Sequence, residues 1–171
     1  MIRAPLCMIL AVLVTALTGA SAPVSAPVNA PVNAQSGWSW PVEPPHPIIR
    51  PYIAPETPYS AGHRGIDIGA GTSIEVRAPA AGVVHFAGTV VDRPVLSIRH
   101  PGGLITSYEP VISGLARGDP VAQDEVVGEL QPGHCSVACV HFGVRLDGEY
   151  VSPLNYLGTV PRAILLPTRK P

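Results

Sequence analysis

From residue 74 onward, the apolar residues fall into short runs that are bounded by glycine, proline or acidic turn residues. Runs of this length and spacing are typical of β-strands. Pro101-Gly102-Gly103 marks one hairpin turn and Asp147-Gly148 marks another, since Asp-Gly is favoured where both turn residues need positive φ. The pattern predicts seven strands, at 74–77, 83–87, 95–100, 104–108, 125–130, 139–146 and 149–151.

Helices have little support in this chain. No window of helical length keeps an apolar period of 3.6 residues, and the 21 prolines and 17 glycines disfavour long helices. We therefore expect an all-β fold, a compact antiparallel β-sandwich or half-barrel that forms one domain at 38–158. The Pro-rich stretch 41–62 is expected to be irregular and to wrap the edge of that domain, with a C-terminal tail at 159–171.

The N-terminus has the features of a signal peptide at 1–22: a positive Arg3, an apolar run over 6–17, and small residues at 20–22. The apolar run is shorter than the ~20 residues that a membrane span needs, so we expect no stable span after cleavage. An uncleaved N-terminal anchor is the second interpretation. A low-complexity linker of Pro, Ala, Val and Asn is predicted at 23–37. The expected location is therefore secreted and extracytoplasmic, at the cell envelope.

Net charge and cysteine content narrow the possibilities further. The formal net charge of −1 and the lack of a basic run argue against a nucleic-acid partner. Outside the predicted signal peptide only Cys135 and Cys139 occur, and in an exported protein two such cysteines favour a local disulfide. Cys139 has two other interpretations, as a fourth zinc ligand or as a buried thiol.

Two segments carry possible metal chemistry. His63 and Asp67 lie four residues apart, and His141 lies in a predicted strand. A zinc hydrolase uses about three protein ligands with N, O or S donors and one open position, and these residues would supply that number. Any one of them alone would be interpreted as a hydrogen-bonded structural residue.

The run Gly62-His63-Arg64-Gly65-Ile66-Asp67-Ile68-Gly69-Ala70 resembles the first zinc motif of the lysostaphin/LytM-type zinc endopeptidases. Segments similar to later family motifs follow in the family's order at 78–84, 100–108, 118–128 and 140–142, so the resemblance covers roughly 38–157. It implies a β domain of the duplicated hybrid motif type that binds peptidoglycan peptides in a groove across its sheet. It also implies a Zn²⁺ cofactor with His63, Asp67 and His141 as ligands.

The chain departs from the family pattern at both non-ligand histidines of the site. Active members have histidine at the positions of Cys139 and Pro110. A proline side chain supplies neither acid/base catalysis nor a hydrogen-bond donor for the oxyanion, and a cysteine would act only as a free thiolate. The resemblance therefore implies a divergent member with an altered catalytic apparatus.

Glu109 and His134 are the candidate catalytic substitutes. If Pro110 faces the site, strand alternation turns Glu109 away, and Glu109 is then expected to be a solvated surface residue. A bulge would reverse that expectation. His134 precedes Cys139 by five residues, and a Cys135–Cys139 disulfide would fix its turn beside the groove; an exposed turn histidine is the alternative. The other histidines, His46, His85 and His100, are interpreted as structural.

These observations leave several functions open. The first is an exported zinc endopeptidase directed at peptidoglycan stem or cross-bridge peptides. The second is a non-catalytic relative that binds peptidoglycan or regulates a cell-wall hydrolase, and the third is a metal-free structural module of the envelope. Parts of the sequence also resemble cofactor-carrying hairpin domains, but these need a lysine at a hairpin tip, and the only lysine is Lys170.

Overall fold

The structure is a computed structural model that describes residues 37–57 and 59–157. The predicted signal peptide, the linker up to residue 36 and the tail at 159–171 lie outside the described residues. Within the described ranges, no helix combines the length and the apolar character that crossing a membrane requires.

Almost every regular element of the described residues is a short strand, which confirms the all-β prediction. The strands are β1 (Ile48–Arg50), β2 (Ile66–Gly69), β3 (Glu75–Arg77), β4 (Gly82–Val90), β5 (Arg93–Arg99), β6 (Leu104–Glu109), β7 (Val111–Ile112), β8 (Pro120–Val121), β9 (Val126–Leu130), β10 (Cys139–Leu146) and β11 (Glu149–Val151). A single 3₁₀ turn follows at Pro153–Asn155.

The strands form two antiparallel sheets. The large sheet has the order β1-β2-β10-β6-β5-β4-β8, with β11 paired to β10, and the small sheet has the order β3-β9-β7. One apolar cluster draws its side chains from both sheets, and Ile66, Leu96, Tyr108 and Phe142 are among its fully buried members. Burying each such side chain contributes roughly 1.5–3 kcal/mol, so this cluster is the main source of stability.

Strand alternation gives the large sheet two different faces. On β10, Val140, Phe142 and Val144 are fully buried in the apolar cluster, whereas His141 and the other alternate residues lie on the opposite face. The cross-strand partners of His141 share its face, and they are Asp67 on β2 and Glu109 on β6. We call this the site face.

All seven predicted strands are present, with ends that differ by a few residues. The stretch 41–62 is not wholly irregular as expected, because it contains β1 (Ile48–Arg50). β2, β7 and β8 were also not predicted. Each of these strands has only two to four residues, which is too short to show alternation, and all four residues of β2 are buried.

Candidate metal centre

His63, Asp67 and His141 come from separate positions in the chain and meet on the site face. Asp67 and His141 lie directly opposite each other in the β2–β10 ladder. His63 precedes β2, and two backbone hydrogen bonds with Ile53 hold it there, at 2.8 and 3.0 Å. The fold therefore brings together the three residues that the sequence proposed as ligands.

The three donor atoms form a compact triangle. His63 Nε2 lies 3.1 Å from Asp67 Oδ1 and 3.1 Å from His141 Nδ1, and His141 Nδ1 lies 2.8 Å from Asp67 Oδ1. Ligand atoms on a tetrahedral zinc, each 2.0–2.1 Å from the metal, are about 3.3 Å apart. The spacing and the donor types therefore fit a zinc ion with three protein ligands.

The hydrogen bonds of the His63 ring also indicate a cation site. His63 Nδ1 lies 2.7 Å from the carbonyl oxygen of Pro51 and donates to it, which leaves Nε2 of the neutral ring with a lone pair. That lone pair faces the Asp67 carboxylate oxygen, which is also an acceptor, so the contact requires a proton or a cation. Metal-ligating histidines are oriented in this way by their second nitrogen.

The electrostatics favour the deprotonated forms of Asp67 and His141. Burial raises the pKa of Asp67, but hydrogen bonds from His141 and His134 and the electrostatic effect of the His63 imidazole together bring this pKa below its ordinary value. Burial also lowers the pKa of His141, against the opposing effect of Asp67. Metal ions bind carboxylate and neutral imidazole, so both shifts favour occupancy at neutral pH.

Gly65 leaves the room that the His141 ring occupies. A Cβ atom added at Gly65 would lie 2.5 Å from the carbonyl oxygen of Phe142 and 2.8 Å from two atoms of the His141 ring. These separations are shorter than van der Waals contact, so a side chain at this position would displace the ring. The glycine between His63 and Asp67 in the motif is therefore a packing requirement of the site.

Glu109 lies on the site face, and the expectation that it points away is wrong. It is the direct cross-strand partner of His141, its side chain is 28% exposed, and it accepts a 2.7 Å hydrogen bond from Arg93. Pro110 is buried after the end of β6, and its carbonyl oxygen accepts from the Gln131 amide at 2.8 Å. Successive side chains of a strand point to opposite faces of the sheet. Because Tyr108 faces the core, Glu109 must point to the site face.

His134 also lies at the cluster rather than in an exposed turn. Its Nε2 is 3.1 Å from Asp67 Oδ1, its Nδ1 is 3.9 Å from Glu109 Oε1, and its side chain is 17% exposed. A disulfide joins Cys135 to Cys139, the first residue of β10, as the sequence predicted. Both sulfurs are used in this bond, so Cys139 is neither a thiolate nor a zinc ligand.

The remaining histidines have different surroundings. His100 is buried, donates to the Ala81 carbonyl at 3.0 Å and hydrogen-bonds the Thr106 hydroxyl at 2.9 Å, which is the structural role expected of it. His46 stacks on Trp40 with a ring-centroid distance of 4.6 Å. His85 is half-buried on β4.

A comparison with known proteins covers the part of the chain that carries this site. A sequence model described as peptidase family M23 matches residues 61–153, which include all three candidate ligands together with Glu109 and His134. The catalytic domain of the antimicrobial peptidase lysostaphin from Staphylococcus simulans has a similar fold, with a TM-score of 0.54 and 16% identity. That similarity covers 66% of this chain and 92% of the lysostaphin domain.

Two curated relatives extend the comparison. An uncharacterized protein of Mycobacterium tuberculosis is 40% identical over 129 residues, which are 71% of this chain and 52% of that protein. The murein hydrolase activator NlpD of Escherichia coli is 28% identical over 125 residues, which are 71% of this chain and 31% of NlpD. The chain thus spans about half the length of its mycobacterial relative and a smaller share of NlpD.

Proposed function

This chain belongs to peptidase family M23, and from that premise we propose that it is an exported zinc endopeptidase that cleaves peptidoglycan peptides. The observation that carries the proposal is the triangle of donor atoms from His63, Asp67 and His141, with sides of 2.8–3.1 Å. Zinc, when bound there, supplies Lewis-acid polarisation of the scissile carbonyl and of the attacking water. The peptidoglycan substrate follows from the family resemblance.

Glu109 and His134 are proposed to replace the two catalytic histidines that this chain lacks. Both side chains lie beside the ligand triangle and both are partly exposed, so a substrate and water can reach them. Glu109 would take a proton from the attacking water as general base, and His134 would donate a proton to the leaving amine. A positioned acid or base adds typically 10²–10⁴-fold to a rate, which is the contribution lost at Pro110 and Cys139.

Two sets of contacts support this division of roles. Arg93 donates to Glu109 at 2.7 Å, which holds the Glu109 side chain on the site face. His134 lies between Asp67 and Glu109, at 3.1 and 3.9 Å, which places its imidazole beside the ligand triangle. The Cys135–Cys139 disulfide fixes the turn that carries this imidazole.

Export to the cell envelope is part of the proposal and rests on the predicted signal peptide at 1–22. The disulfide supports it, because disulfides persist in oxidising compartments outside the cytoplasm. The name of the relative NlpD, a murein hydrolase activator, is consistent with an envelope role.

A second candidate function is a non-catalytic protein that binds peptidoglycan or activates a separate cell-wall hydrolase. The observation that favours it is the loss of both family histidines, one to a buried proline and one to a disulfide-bonded cysteine. The relative NlpD, by its name a murein hydrolase activator, is of this kind. In this case the donor triangle would serve binding or stability without turnover.

One experiment separates the two candidates. Purified mature protein is loaded with zinc, its metal content is measured, and it is incubated with peptidoglycan while newly released amines are counted. His63→Ala, which removes a ligand, is the negative control. Amine release that is lost in His63→Ala supports the endopeptidase. A protein that holds about one zinc but releases no amines contradicts it and leaves the binding or activating role.

A further inference from the structure

The site face carries three rows of residues that run across the central strands. The first row contains Asp67, His141 and Glu109. The second row lies two residues away from the first on β10 and β6, and it extends to β5. It has only small residues, namely Gly143, Ser107 and Ser97. The third row consists of Arg145, Ile105 and Arg99.

The third row is the basic end of the site face. Arg99 and Arg145 flank Ile105 at one register position, so their Cα atoms lie two strand spacings apart, about 10 Å. Two side chains that start at this separation and share a face can reach one small anion placed between them. Arg145 lies four residues beyond His141 on β10, which puts the arginines about 13 Å from the ligand triangle.

A third arginine, Arg117, lies in a turn near this basic end of the site face. The Gly118 amide donates to the Val84 carbonyl, and the Val84 amide donates to the Asp119 carbonyl, both at 2.9 Å. These bonds place Arg117 next to His85, the neighbour of Val84 on β4. His85 Nδ1 in turn accepts a 3.0 Å hydrogen bond from Arg99.

The electrostatics agree with this placement. Burial lowers the pKa of His85, and the charges of Arg99, Arg117 and Arg145 lower it further. Three positive charges therefore act on one neutral imidazole. We call Arg99, Arg117 and Arg145 the arginine cluster.

The arginine cluster lacks counter-charges of its own. Among residues 37–57 and 59–157, no carboxylate forms an ion pair with any of the three guanidinium groups. Arg145 lies over the Tyr150 ring, and the Asp119 carboxylate accepts from the Ala116 amide instead. An open depression of about 450 Å³ borders Arg99, the one member of the cluster that lines it. An arginine without a counter-charge beside open space can bind a carboxylate or phosphate.

We propose that the arginine cluster is a subsite that binds a free carboxylate of the peptide substrate, four residues along β10 from the candidate ligand His141. This inference rests on the proposed peptide-binding function and adds a substrate requirement to it. A carboxylate is the favoured anion because the row between the two ends has only small side chains, which suits an extended peptide backbone. Guanidinium groups bind carboxylates through paired hydrogen bonds.

The test compares two soluble peptidoglycan peptides of the same sequence, one with free carboxyl groups and one with these groups amidated. Binding to the zinc-loaded protein is measured by calorimetry, with mass spectrometry to follow any cleavage. We expect the amidated peptide to bind roughly tenfold more weakly to the wild type. Arg99→Gln and Arg145→Gln should each weaken binding of the free acid by roughly three- to tenfold and reduce the preference.

Arg77→Gln is the matched control, since it removes the same charge from the small sheet. A preference for the free-acid peptide over the amidated peptide that persists in Arg77→Gln but is lost in Arg99→Gln and Arg145→Gln supports the subsite. Equal binding of both peptides by the wild type, or unchanged discrimination in Arg99→Gln and Arg145→Gln, overturns it while leaving the proposed function intact. Failure of every peptide to bind overturns the proposed function and the subsite together.

Discussion

Glu109 lies directly opposite His141 across the β6–β10 ladder, so its carboxylate shares the site face with the ligand triangle. The resemblance to the family places a lost histidine at Pro110, one residue later, and that proline is buried. A carboxylate therefore lies on the site face, whereas the neighbouring proline does not. This relationship supports the proposal of a rearranged catalytic apparatus.

Glu109→Gln should abolish most of the activity without affecting the metal. The amide keeps the shape of the side chain and still accepts from Arg93, but it cannot take a proton from water. We expect peptidoglycan cleavage to fall by about 10²–10⁴-fold with zinc content unchanged. Amine release and zinc stoichiometry measured on the same sample test this. Wild-type activity in Glu109→Gln would show that the carboxylate is only a partner of Arg93.

Opening the disulfide should act through His134. In Cys135→Ser/Cys139→Ser the segment 135–139 is no longer closed, so the adjoining His134 is held less firmly beside Asp67. Because neither sulfur is a ligand, zinc content should be retained, while cleavage falls toward the level of His134→Gln. The closed loop is short, with a sequence separation of 4, so the loss in unfolding free energy is at most about 2 kcal/mol. Full activity in the double variant, alongside an inactive His134→Gln, would contradict this link.

The sequence was sufficient to predict seven of the strands, the disulfide and the three candidate ligands. The strands were accessible because their apolar runs are bounded by turn residues, and the ligands because they lie in a recognisable motif. The four strands that were missed owe their pairing to distant partners: β1 is ordered by its ladder with β2, and β8 by its ladder with β4. Short segments of this kind carry too few residues for a local signal.

The surroundings of the ligands were harder to predict, because they too depend on pairing between segments that are distant in the sequence. The side that Glu109 faces depends on the register between β6 and β10, and a shift of one residue reverses it. The core position of Tyr108 was the signal that could have fixed the parity, because a fully buried residue puts its neighbours on the opposite face. The arginine cluster had no local signal, since its members are brought together from β5, β10 and a turn.

Gly65→Ala should damage the metal centre through packing. The new methyl group would overlap the Phe142 carbonyl and the His141 ring, so that ring must move away from Asp67. We expect a large loss of zinc affinity together with a loss of about 1–3 kcal/mol in unfolding free energy. Gly128→Ala is the control, because its methyl group would lie 2.5 Å from the Ile112 carbonyl oxygen in the small sheet. That variant should lose stability but bind zinc like the wild type, and equal zinc loss in both would refute the specific role of Gly65.

His100 should make the folded domain sensitive to acid. Burial lowers the pKa of this imidazole, only partly offset by the Ala81 carbonyl, so the folded state keeps it neutral where the unfolded chain binds a proton. Unfolding therefore takes up a proton below the ordinary histidine pKa of about 6.5, and stability falls as the pH drops through that value. For one proton the slope is at most about 1.4 kcal/mol per pH unit.

Denaturant unfolding of zinc-loaded protein between pH 7.5 and 5 would measure this slope, with the pH range chosen around the histidine pKa of about 6.5. His100→Gln removes the titrating group, so its unfolding free energy should depend less steeply on pH than that of the wild type. It should also be less stable at pH 7.5, because the buried imidazole and its hydrogen bonds to the Ala81 carbonyl and the Thr106 hydroxyl are lost. Gly128→Ala, which is destabilised without loss of a histidine, should keep the wild-type slope. An identical slope in His100→Gln would mean that the acid sensitivity arises at the metal ligands instead.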